Sequence, residues 1–348
     1  MLNYDEIMDI PPYSLPQSEK EKLYDGWMAE LSEYHRARCS AYRQICEMQG
    51  SKTPALPVRL FKKYDLRSVE SHSVIKTMTS SGTTGQQPSR IYLDRDTSAR
   101  QTKALNRIVT DFTGKTRRPM LIVDSSAVLK NRSMFSARGA GILGFSMLGR
   151  NLTYALNEQM ELNIETIERF CEENKNEQVL LFGFTFIIWE YFILALQKRG
   201  ITLPLNGTLI HGGGWKKLQE KAVDDRVFRE KVRAACGLET VLNYYGMVEQ
   251  TGSVFMQCPC GNLHASVFSD VVIRDPDDFA PLERGRGLIE CRSILPTSYP
   301  GHILLTEDEG ELLGVDDCPC GRKGKYFKIY GRVKGAELRG CSDTYEQR

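Results

Sequence analysis

The stretch that decides the fold is Thr79-Ser80-Ser81-Gly82-Thr83-Thr84-Gly85-Gln86-Gln87-Pro88-Ser89-Arg90. Its two glycines allow a tight backbone turn, and its consecutive hydroxyls and backbone N–H groups are donors for phosphate oxygens. No Lys follows the second glycine, so the stretch is not a P-loop of the Gly-Lys-Ser/Thr type. Its composition therefore predicts a polyphosphate-binding loop, and a flexible hairpin turn is the alternative for this stretch taken alone.

Apolar strand-like runs alternate with helical stretches around this loop, between about Val74 and Leu312. The runs are PMLIVD (119–124), VLLFGF (179–184), GTLIHGG (207–213), TVLNYYG (240–246) and GHILLT (301–306). Such alternation predicts an α/β core with much parallel sheet. Upstream, helical spacing predicts an amphipathic helical layer over 16–49. We therefore expect an N-terminal helical region (1–73), an α/β core (74–330), and a hinge with a short tail (331–348).

Bulk composition excludes several classes of protein. The 348 residues carry a formal net charge of +2, with 41% hydrophobic and 26% charged residues, which gives no electrostatic reason to expect a nucleic-acid partner. The N-terminus has no signal-peptide pattern, so we expect a cytoplasmic protein whose ten cysteines are thiols or metal ligands. The apolar run 179–197 is about as long as a membrane span, but Glu190 lies within it, and Gly183 and Thr185 interrupt it. We expect a buried strand, a turn and a helix there.

Four further segments follow the phosphate loop in order along the chain. They are a glycine-rich strand end (His211-Gly212-Gly213-Gly214-Trp215), a Tyr-Gly-x-x-Glu segment (Tyr245-Gly246-Met247-Val248-Glu249), a Thr-x-Asp segment (Thr306-Glu307-Asp308) and a Gly-Arg pair (Gly331-Arg332). Taken singly, Glu249 is typical of a solvated helix start, Asp308 of a turn, and the three glycines of a tight turn. Together with the loop, these segments resemble the acyl-adenylate-forming ligases, a family that includes acyl-CoA ligases, peptide-synthetase adenylation domains and luciferase.

The resemblance implies the large α/β N-terminal domain of that fold and an enzyme that uses ATP and Mg²⁺. The residues that it implies for ATP binding are Thr79, Ser80, Ser81, Gly82, Thr83, Thr84, Gly85, Gly212, Gly213, Gly214, Tyr245, Gly246 and Asp308. Glu249 would hold Mg²⁺, and Arg332 would contact ribose or phosphate. In the reaction a carboxylate attacks the α-phosphorus of ATP and pyrophosphate leaves. The protein has to position anions and neutralise charge, and no general base is needed.

Other stretches narrow the resemblance to the acyl-protein synthetases of the bacterial luminescence fatty-acid reductase system, the LuxE-type family. They are Ser14-Leu15-Pro16 with Glu19-Lys20, Leu56-Pro57-Val58-Arg59-Leu60-Phe61-Lys62, 79–94, Phe182-Gly183-Phe184-Thr185 and Arg339-Gly340-Cys341-Ser342-Asp343. In that family a fatty acid is adenylated and passed to a cysteine near the C-terminus, which delivers it to a reductase. The resemblance therefore implies that Cys341 accepts the acyl group as a thioester and that an acyl reductase is the partner. The alternative for Cys341 is an inert thiol in a tail.

Two other functions remain open. Ordinary acyl-CoA ligases continue past the Gly-Arg hinge into a mobile C-terminal domain with a catalytic lysine, and here we expect only a short tail in its place. An acyl-CoA or acyl-carrier-protein ligase of the phenylacetate-CoA ligase type is the alternative enzyme, and a non-catalytic nucleotide- or acyl-binding subunit is the alternative outside catalysis. Exchange of pyrophosphate into ATP distinguishes the enzymes from the binding subunit, and the site of the thioester distinguishes the two enzymes.

Two thiol-rich turns share one pattern, Cys258-Pro259-Cys260-Gly261 and Cys318-Pro319-Cys320-Gly321, and His264 follows the first. In a cytosolic chain such turns predict a structural zinc site, with a disulfide or free thiols as the alternative. Five candidate ligands exceed the four of a tetrahedral site, so one of them would stand outside it. Phenylacetate-CoA-ligase-like relatives carry a Cys/His zinc site in this region, and this resemblance implies that His264 is a ligand.

The remaining aromatic residues, histidines and cysteines are less informative. An apolar pocket for a fatty or aromatic acid is indicated by Phe182, Phe184, Phe186, Trp189 and Met247, although aromatic residues in apolar segments are also typical of a core. His35 and His72 lie in polar contexts and are predicted at the surface, whereas His211 and His302 are predicted to be structural. The cysteines predicted to be small apolar residues of helices and strands are Cys39, Cys46, Cys171, Cys236 and Cys291.

Overall fold

The computed structural model describes residues 2–80, 88–129, 135–215 and 222–333. These residues form two compact units. The first unit holds 2–80, 88–112 and 245–333, and the second holds 113–129, 135–215 and 222–244. The domain boundaries expected after residues 73 and 330 stay predictions.

Helices and strands occur in both units. The α-helices are α1 (Tyr4–Asp9), α2 (Gln17–Arg38), α3 (Ser40–Gln49), α4 (Leu60–Lys63), α5 (Arg95–Thr113), α6 (Ala137–Ser146), α7 (Ile164–Glu173), α8 (Thr185–Ile187), α9 (Leu194–Lys198) and α10 (Asp225–Cys236). The strands are β1 (Leu56–Pro57), β2 (Lys76–Thr79), β3 (Arg90–Leu93), β4 (Arg118–Ser125), β5 (Phe135–Ser136), β6 (Gly149–Leu156), β7 (Val179–Phe184), β8 (Gly207–Gly212), β9 (Thr240–Tyr245), β10 (Phe255–Gln257), β11 (Leu263–His264), β12 (Ser269–Arg274), β13 (Pro281–Leu282), β14 (Arg286–Ser293), β15 (Ile303–Val315) and β16 (Lys325–Arg332). A mixed α/β fold is thus confirmed.

An antiparallel sheet is the centre of the first unit. Its strands lie in the order β13-β12-β14-β15-β16-β11-β10, and β1 pairs in parallel with β15. One hydrophobic cluster of this sheet consists of Phe255, Leu263, Ala265, Val271, Ile273, Ile289, Cys291 and Phe327. Burial of these apolar side chains is the main force that holds the strands together.

The N-terminal helical layer predicted over 16–49 is present as α2 and α3. Within the first unit, buried polar contacts join helix α2 to β12 and the residues before it: the Tyr24 hydroxyl donates to the carbonyl of Val267 at 3.0 Å, and Lys20 Nζ lies 3.4 Å from Asp270 Oδ1. Both Lys20 and Asp270 are buried, and a buried charge is tolerated because its partner offsets the loss of hydration. Helix α3 ends at Gly50, which adopts a left-handed conformation (φ 59°) that favours glycine.

A parallel sheet is the centre of the second unit. Its strands lie in the order β6-β4-β7-β8-β9, and every adjacent pair is parallel. The chain enters at β4, crosses to β6 on one side and then continues with β7 on the other side, so the direction of winding reverses between β4 and β7. In open α/β sheets ligands bind beyond the carboxyl ends of the strands at such a switch point. The five-stranded parallel sheet belongs to the second unit, whereas the predicted strand at 301–306 belongs to the sheet of the first, in which the β1–β15 pair is parallel and the other pairs are antiparallel.

The long apolar run 179–197 is a buried strand followed by a helical segment. Strand β7 passes directly into α8, a π-helical segment (Ile188–Ile193) and α9, with no intervening turn. Within the described residues, no helix has the length and the apolar composition that a membrane crossing requires. The expected strand and helix are confirmed, and the expected turn between them is absent because Phe184 and Thr185 are consecutive.

Candidate functional site

A two-stranded hairpin presents the predicted phosphate loop. Strands β2 and β3 are antiparallel, with Thr79 opposite Arg90. Beyond them the Ser80 N–H donates to the carbonyl of Ser89 at 3.2 Å, and the Ser89 N–H donates to Ser80 Oγ at 2.9 Å. The two ends of the loop are therefore held together by one backbone–backbone and one backbone–side-chain hydrogen bond. The other predicted phosphate ligands, Ser81, Gly82, Thr83, Thr84 and Gly85, lie outside the described residues, as does Cys341.

Three predicted site residues from distant segments meet in the first unit. The Tyr245 hydroxyl donates to Asp308 Oδ2 at 2.6 Å, and Arg332 Nε lies 3.6 Å from Asp308 Oδ1. Asp308 and Arg332 are opposite one another in the antiparallel pair β15–β16. The register of two strands thus places a carboxylate between a phenol and a guanidinium. We call Tyr245, Asp308 and Arg332 the acidic clamp.

Electrostatics fixes the protonation of this clamp. Burial, and after it the negative charge of Asp308, raises the pKa of Tyr245 well above its ordinary value. Tyr245 therefore stays a neutral hydrogen-bond donor at physiological pH.

Gly331, next to Arg332, has a φ of 125°, a conformation that L side chains rarely adopt. The Gly-Arg pair consequently has a backbone reason for its glycine.

Glu249 is buried, which disfavours the alternative of a solvated helix-start charge. It lies in a short 3₁₀ turn, Val248–Gln250, and only 6% of its surface is exposed. The neighbouring Gln250 anchors the turn, because its side-chain amide donates to the carbonyls of Cys291 (3.0 Å) and Gly301 (2.9 Å). Gly301 also packs closely against this turn, because a Cβ on Gly301 would lie 2.8 Å from the backbone oxygen of Glu249.

The predicted glycine-rich segment belongs to the second unit, where it ends β8. Gly213 has a φ of 80°, and a Cβ on Gly212 would lie 2.4 Å from the Tyr244 ring, so both positions need glycine. His211 precedes them and is buried. The Thr185 hydroxyl lies 3.1 Å from the carbonyl of Gly212 and 3.0 Å from His211 Nδ1. Because Thr185 has a single proton to donate and the carbonyl can only accept, His211 Nδ1–H donates to Thr185.

Four of the five predicted metal ligands lie together in the first unit. The ligand atoms of Cys258, His264, Cys318 and Cys320 all lie within 4.8 Å of one another. Cys258 Sγ is 3.9 Å from Cys318 Sγ, and Cys320 Sγ is 3.4 Å from His264 Nε2. The fifth candidate, Cys260, is exposed and outside this group. We call these four residues the Cys/His cluster.

Neighbouring side chains orient the Cys/His cluster. The Asn262 amide donates to Cys318 Sγ at 3.4 Å. The Tyr326 ring stacks on His264 at 5.6 Å between centroids, and Tyr13 meets the same imidazole edge-on at 6.2 Å. Burial lowers the pKa of His264 to about 4, so its imidazole is neutral and its Nε2 can serve as a metal ligand.

Sequence analysis did not predict the burial of His35 or the buried ion pair of Arg138 with Asp124. His35, predicted at the surface, is fully buried: its Nδ1 lies 2.8 Å from Ser68 Oγ, and its ring stacks on His302 at 4.8 Å. Arg138 and Asp124 form a buried ion pair in the second unit, with Arg138 Nε donating to Asp124 Oδ2 at 2.7 Å. A carboxylate directly after the apolar run PMLIV is the sequence signal that would have found the pair. His72 is exposed, and the five cysteines predicted to be apolar core residues are all buried.

Comparison with known proteins decides the family. The model of the family described as "Acyl-protein synthetase, LuxE" matches residues 3–348. The chain belongs to this family. This chain is also 24% identical to the long-chain-fatty-acid–luciferin-component ligase of Vibrio harveyi, and the alignment covers 98% of this chain and 93% of that protein.

Solved structures agree on the fold of this chain. An open conformation of 2-hydroxyisobutyryl-CoA ligase, in complex with 2-HIB-AMP and CoA, has a TM-score of 0.69 at 16% identity, over 93% of this chain and 77% of that one. The same ligase in its postadenylation state has a TM-score of 0.68 at 16% identity, over 92% and 69% of the two chains. Family membership confirms the prediction of an ATP-dependent acid ligase. The structural likeness confirms the adenylate-forming fold.

Proposed function

We propose that the protein activates a fatty acid with ATP and Mg²⁺ to an acyl-adenylate and then transfers the acyl group to its own Cys341, for delivery to an acyl reductase. The observation that carries this proposal is the acidic clamp, in which Tyr245 and Arg332 both contact Asp308. The Vibrio harveyi relative, named for a long-chain fatty acid and a luciferin component, supports the choice of acid and the existence of a protein partner.

The acidic clamp suits the ribose of ATP. Asp308 offers carboxylate oxygens that accept hydrogen bonds from ribose hydroxyls, and Tyr245 holds the carboxylate in place from one side. The Arg332 guanidinium offsets the negative charge of Asp308 and has further N–H groups for ribose or phosphate oxygens. The Tyr245 hydroxyl, the Asp308 carboxylate and the Arg332 guanidinium thus place a donor, an acceptor and a cation next to one another, and this combination suits a nucleotide better than an apolar ligand.

Glu249 and the hairpin loop suit the phosphates. Mg²⁺ prefers carboxylate oxygen as a protein ligand and neutralises the charge of phosphate oxygens, which is the chemistry that adenylation requires. Glu249, held in its 3₁₀ turn, would supply that carboxylate. Pairing of Ser80 with Ser89 fixes the ends of a loop whose hydroxyls and N–H groups would bind the β- and γ-phosphates. The acid is already ionised at neutral pH and needs no base.

Exchange of labelled pyrophosphate into ATP tests the adenylation step. With Mg²⁺ and a panel of fatty acids, we expect exchange by the wild type and a loss on the order of 100-fold or more in Glu249→Gln, because the amide is a weaker Mg²⁺ ligand of the same volume. Asp308→Asn should raise the KM for ATP. Glu309→Gln, next along the strand and outside the acidic clamp, is the matched control. If the wild type neither exchanges pyrophosphate into ATP nor binds ATP, the proposal that the protein is an enzyme is wrong.

The acyl acceptor needs a separate experiment. In the proposed step the Cys341 thiolate attacks the acyl carbon of the adenylate, the bond from that carbon to the phosphate oxygen breaks, and AMP leaves; the thiol proton goes to solvent. Cys341→Ala should keep pyrophosphate exchange and lose hydroxylamine-sensitive acylation of the protein. Cys260→Ala, which removes an exposed thiol elsewhere, should keep both. Full-rate labelling of CoA or of a carrier protein by Cys341→Ala would instead favour the ligase of the phenylacetate-CoA type.

We also propose that the Cys/His cluster holds a structural Zn²⁺. Zinc–sulfur and zinc–nitrogen bond lengths of about 2.3 and 2.0–2.1 Å place tetrahedral ligands about 3.8 Å (S to S) and about 3.5 Å (S to N) apart. The corresponding distances are 3.9 Å between Cys258 and Cys318 and 3.4 Å between Cys320 and His264. Three sulfurs and one nitrogen fill a tetrahedron, so the metal would fix the fold and take no part in the chemistry.

Two cysteines of one turn provide a matched test of this site. Cys258→Ser should abolish zinc in elemental analysis and lower the melting temperature, whereas Cys260→Ser should keep about one zinc per chain because its thiol lies outside the cluster. Equal metal content in the two variants, or a stable metal-free wild type, would show that the cluster is a packing feature.

A further inference from the structure

The connection between β14 and β15 in the first unit is an irregular segment that is buried throughout. Residues 294–302 belong to no helix or strand, yet every one of them is buried. Connections between strands normally run over the surface, where water satisfies their backbone groups. This segment also carries buried polar side chains, among them Ser298 and Tyr299. Its polar groups therefore need partners from other segments, and we call 294–302 the buried connection.

The phosphate hairpin and the helix that follows it supply several of these partners. The Ser298 hydroxyl donates to the carbonyl of Tyr92 in β3 at 2.7 Å, and the Ser298 N–H donates to Thr97 Oγ1 of α5 at 3.1 Å. Three residues further along α5, the side-chain amide of Gln101 donates to the Tyr299 hydroxyl at 3.1 Å. The buried connection is thus fixed to β3, the second strand of the hairpin, and to α5.

The same connection packs against the turn that carries Glu249. The Gln250 side-chain amide donates to the Gly301 carbonyl at 2.9 Å. A Cβ on Gly301 would collide with the Tyr299 ring and would lie 2.8 Å from the backbone oxygen of Glu249. Burial raises the pKa of Tyr299, and the charge of Glu249 raises it further, so the phenol is neutral. Tyr299 and the Glu249 backbone are therefore packed against one glycine.

The Glu249 turn also contacts the hairpin and α5 directly. Thr251 Oγ1 lies 3.9 Å from Met78 Sδ of β2. A Cβ on Gly252 would lie 2.5 Å from the backbone oxygen of Gln101. The turn is therefore held between α5, β2 and the buried connection, all within the first unit.

We propose that Tyr299 is a positioning residue that holds the Glu249 carboxylate in place for Mg²⁺. Its hydroxyl is bonded to α5 and its ring packs against Gly301, so it joins the two sides that enclose the Glu249 turn. Mg²⁺ requires nearly ideal octahedral geometry with bonds of about 2.0–2.1 Å, which makes its affinity sensitive to small movements of a ligand. The inference rests on the proposed adenylation and adds to it a residue that does not itself touch the metal.

The Mg²⁺ dependence of pyrophosphate exchange tests this role. Tyr299→Phe keeps the ring and loses the bond to Gln101, so the free Mg²⁺ concentration that gives half the maximal rate should rise about fivefold, as loss of one ordinary hydrogen bond implies. Saturating Mg²⁺ should restore most of the rate. Gln101→Met should give the same shift, because Gln101 Oε1 has no partner within the described residues and only the bond to Tyr299 is lost. The double variant should add nothing to either single variant, since both remove one bond.

Tyr24→Phe is the matched control. Tyr24 is equally buried in the same unit, and its hydroxyl donates to the carbonyl of Val267 at 3.0 Å. This variant also loses one buried hydrogen bond, so it should be less stable than the wild type but keep the wild-type Mg²⁺ dependence.

The outcomes separate the positioning role from the proposed function. If folded Tyr299→Phe needs less than about twice the Mg²⁺ of the wild type, or if Tyr24→Phe shifts the dependence equally, Tyr299 does not position Glu249 and adenylation stands. If Tyr299→Phe does not fold, Gln101→Met decides by the same criterion. If the wild type shows no exchange with any acid, the proposed function itself is wrong.

Discussion

Acid should destabilise the first unit through His35. This histidine is buried, its Nε2 lies 3.3 Å from the carbonyl of Pro296, and its Nδ1 lies 2.8 Å from Ser68 Oγ. Because the carbonyl only accepts, Nε2–H is the donor, and Nδ1 accepts from the Ser68 hydroxyl. The imidazole is thus fully satisfied in its neutral form. Burial lowers the pKa of His35 to about 3, and burial followed by the neighbouring His35 lowers that of His302 well below its ordinary value.

The size and sign of the effect follow from linkage. In the unfolded chain the pKa of a histidine is about 6.5, so below that pH the unfolded state binds a proton that the folded state excludes. The stability that neutral His35 confers is therefore complete above pH 6.5 and is lost as the pH falls toward the folded value of about 3. Between pH 7.5 and pH 5 this loss amounts to about 2 kcal/mol for His35 alone, and His302 adds to it in the same direction.

Urea unfolding at pH 7.5 and pH 5 measures this loss. In His35→Gln the amide can still donate and accept but cannot titrate, so we expect the variant to lose about 2 kcal/mol less than the wild type between the two pH values. His72→Gln, which alters an exposed histidine, should behave like the wild type. Comparing losses within each variant cancels any constant change in stability. An equal loss in His35→Gln and His72→Gln would refute the reasoning.

Three further substitutions have specific expected outcomes. Tyr245→Phe removes the hydrogen bond to Asp308 and should raise the KM for ATP about tenfold, as a charge-assisted bond of about 1.5 kcal/mol implies; an unchanged KM would contradict the clamp. Arg138→Met leaves the buried Asp124 unpaired and should lower the free energy of unfolding by about 3–5 kcal/mol, most of which Arg138→Met with Asp124→Leu should restore. Gly252→Ala places a Cβ 2.5 Å from the backbone oxygen of Gln101 at a φ of 86°, and urea unfolding should show a loss on the order of 2 kcal/mol.

Sequence patterns correctly predicted those strands and helices whose formation depends on the residues of the segment itself. A strand buried on both faces is a continuous apolar run, which is why β7 was recognisable, and the helical spacing over 16–49 reflects a face that packs on one side. His35 was predicted wrongly because its polar neighbours along the chain were weighed above the helical period. Met28, Leu31 and His35 lie three and four residues apart and are all buried, so the period contained the answer.

Long-range geometry could not be predicted from spacing. Asp308 and Arg332 meet through the register of β15 and β16, and Tyr245 arrives from another part of the chain, so only the resemblance to a family indicated the clamp. The two Cys-Pro-Cys-Gly turns have the same sequence, yet Cys320 belongs to the Cys/His cluster and Cys260 does not. The difference depends on His264, which β11 places opposite Tyr326 of β16 and beside Cys320.

The first unit is made of two stretches of chain that are separated by the whole second unit, and this has a consequence for synthesis on the ribosome. Leu56 of β1 pairs with Leu304 of β15, and Lys20 of α2 pairs with Asp270. Leu304 and Asp270 are therefore each synthesised about 250 residues after the residue with which they pair. At 5–20 residues per second the delay is on the order of 10–50 s. Once β9 has been made, at Tyr245, the second unit has all of its strands, whereas α2 and β1 still lack the surfaces that bury them. We therefore expect the parallel unit to fold first in the cell and the nascent N-terminal helices to be the segment that chaperones bind.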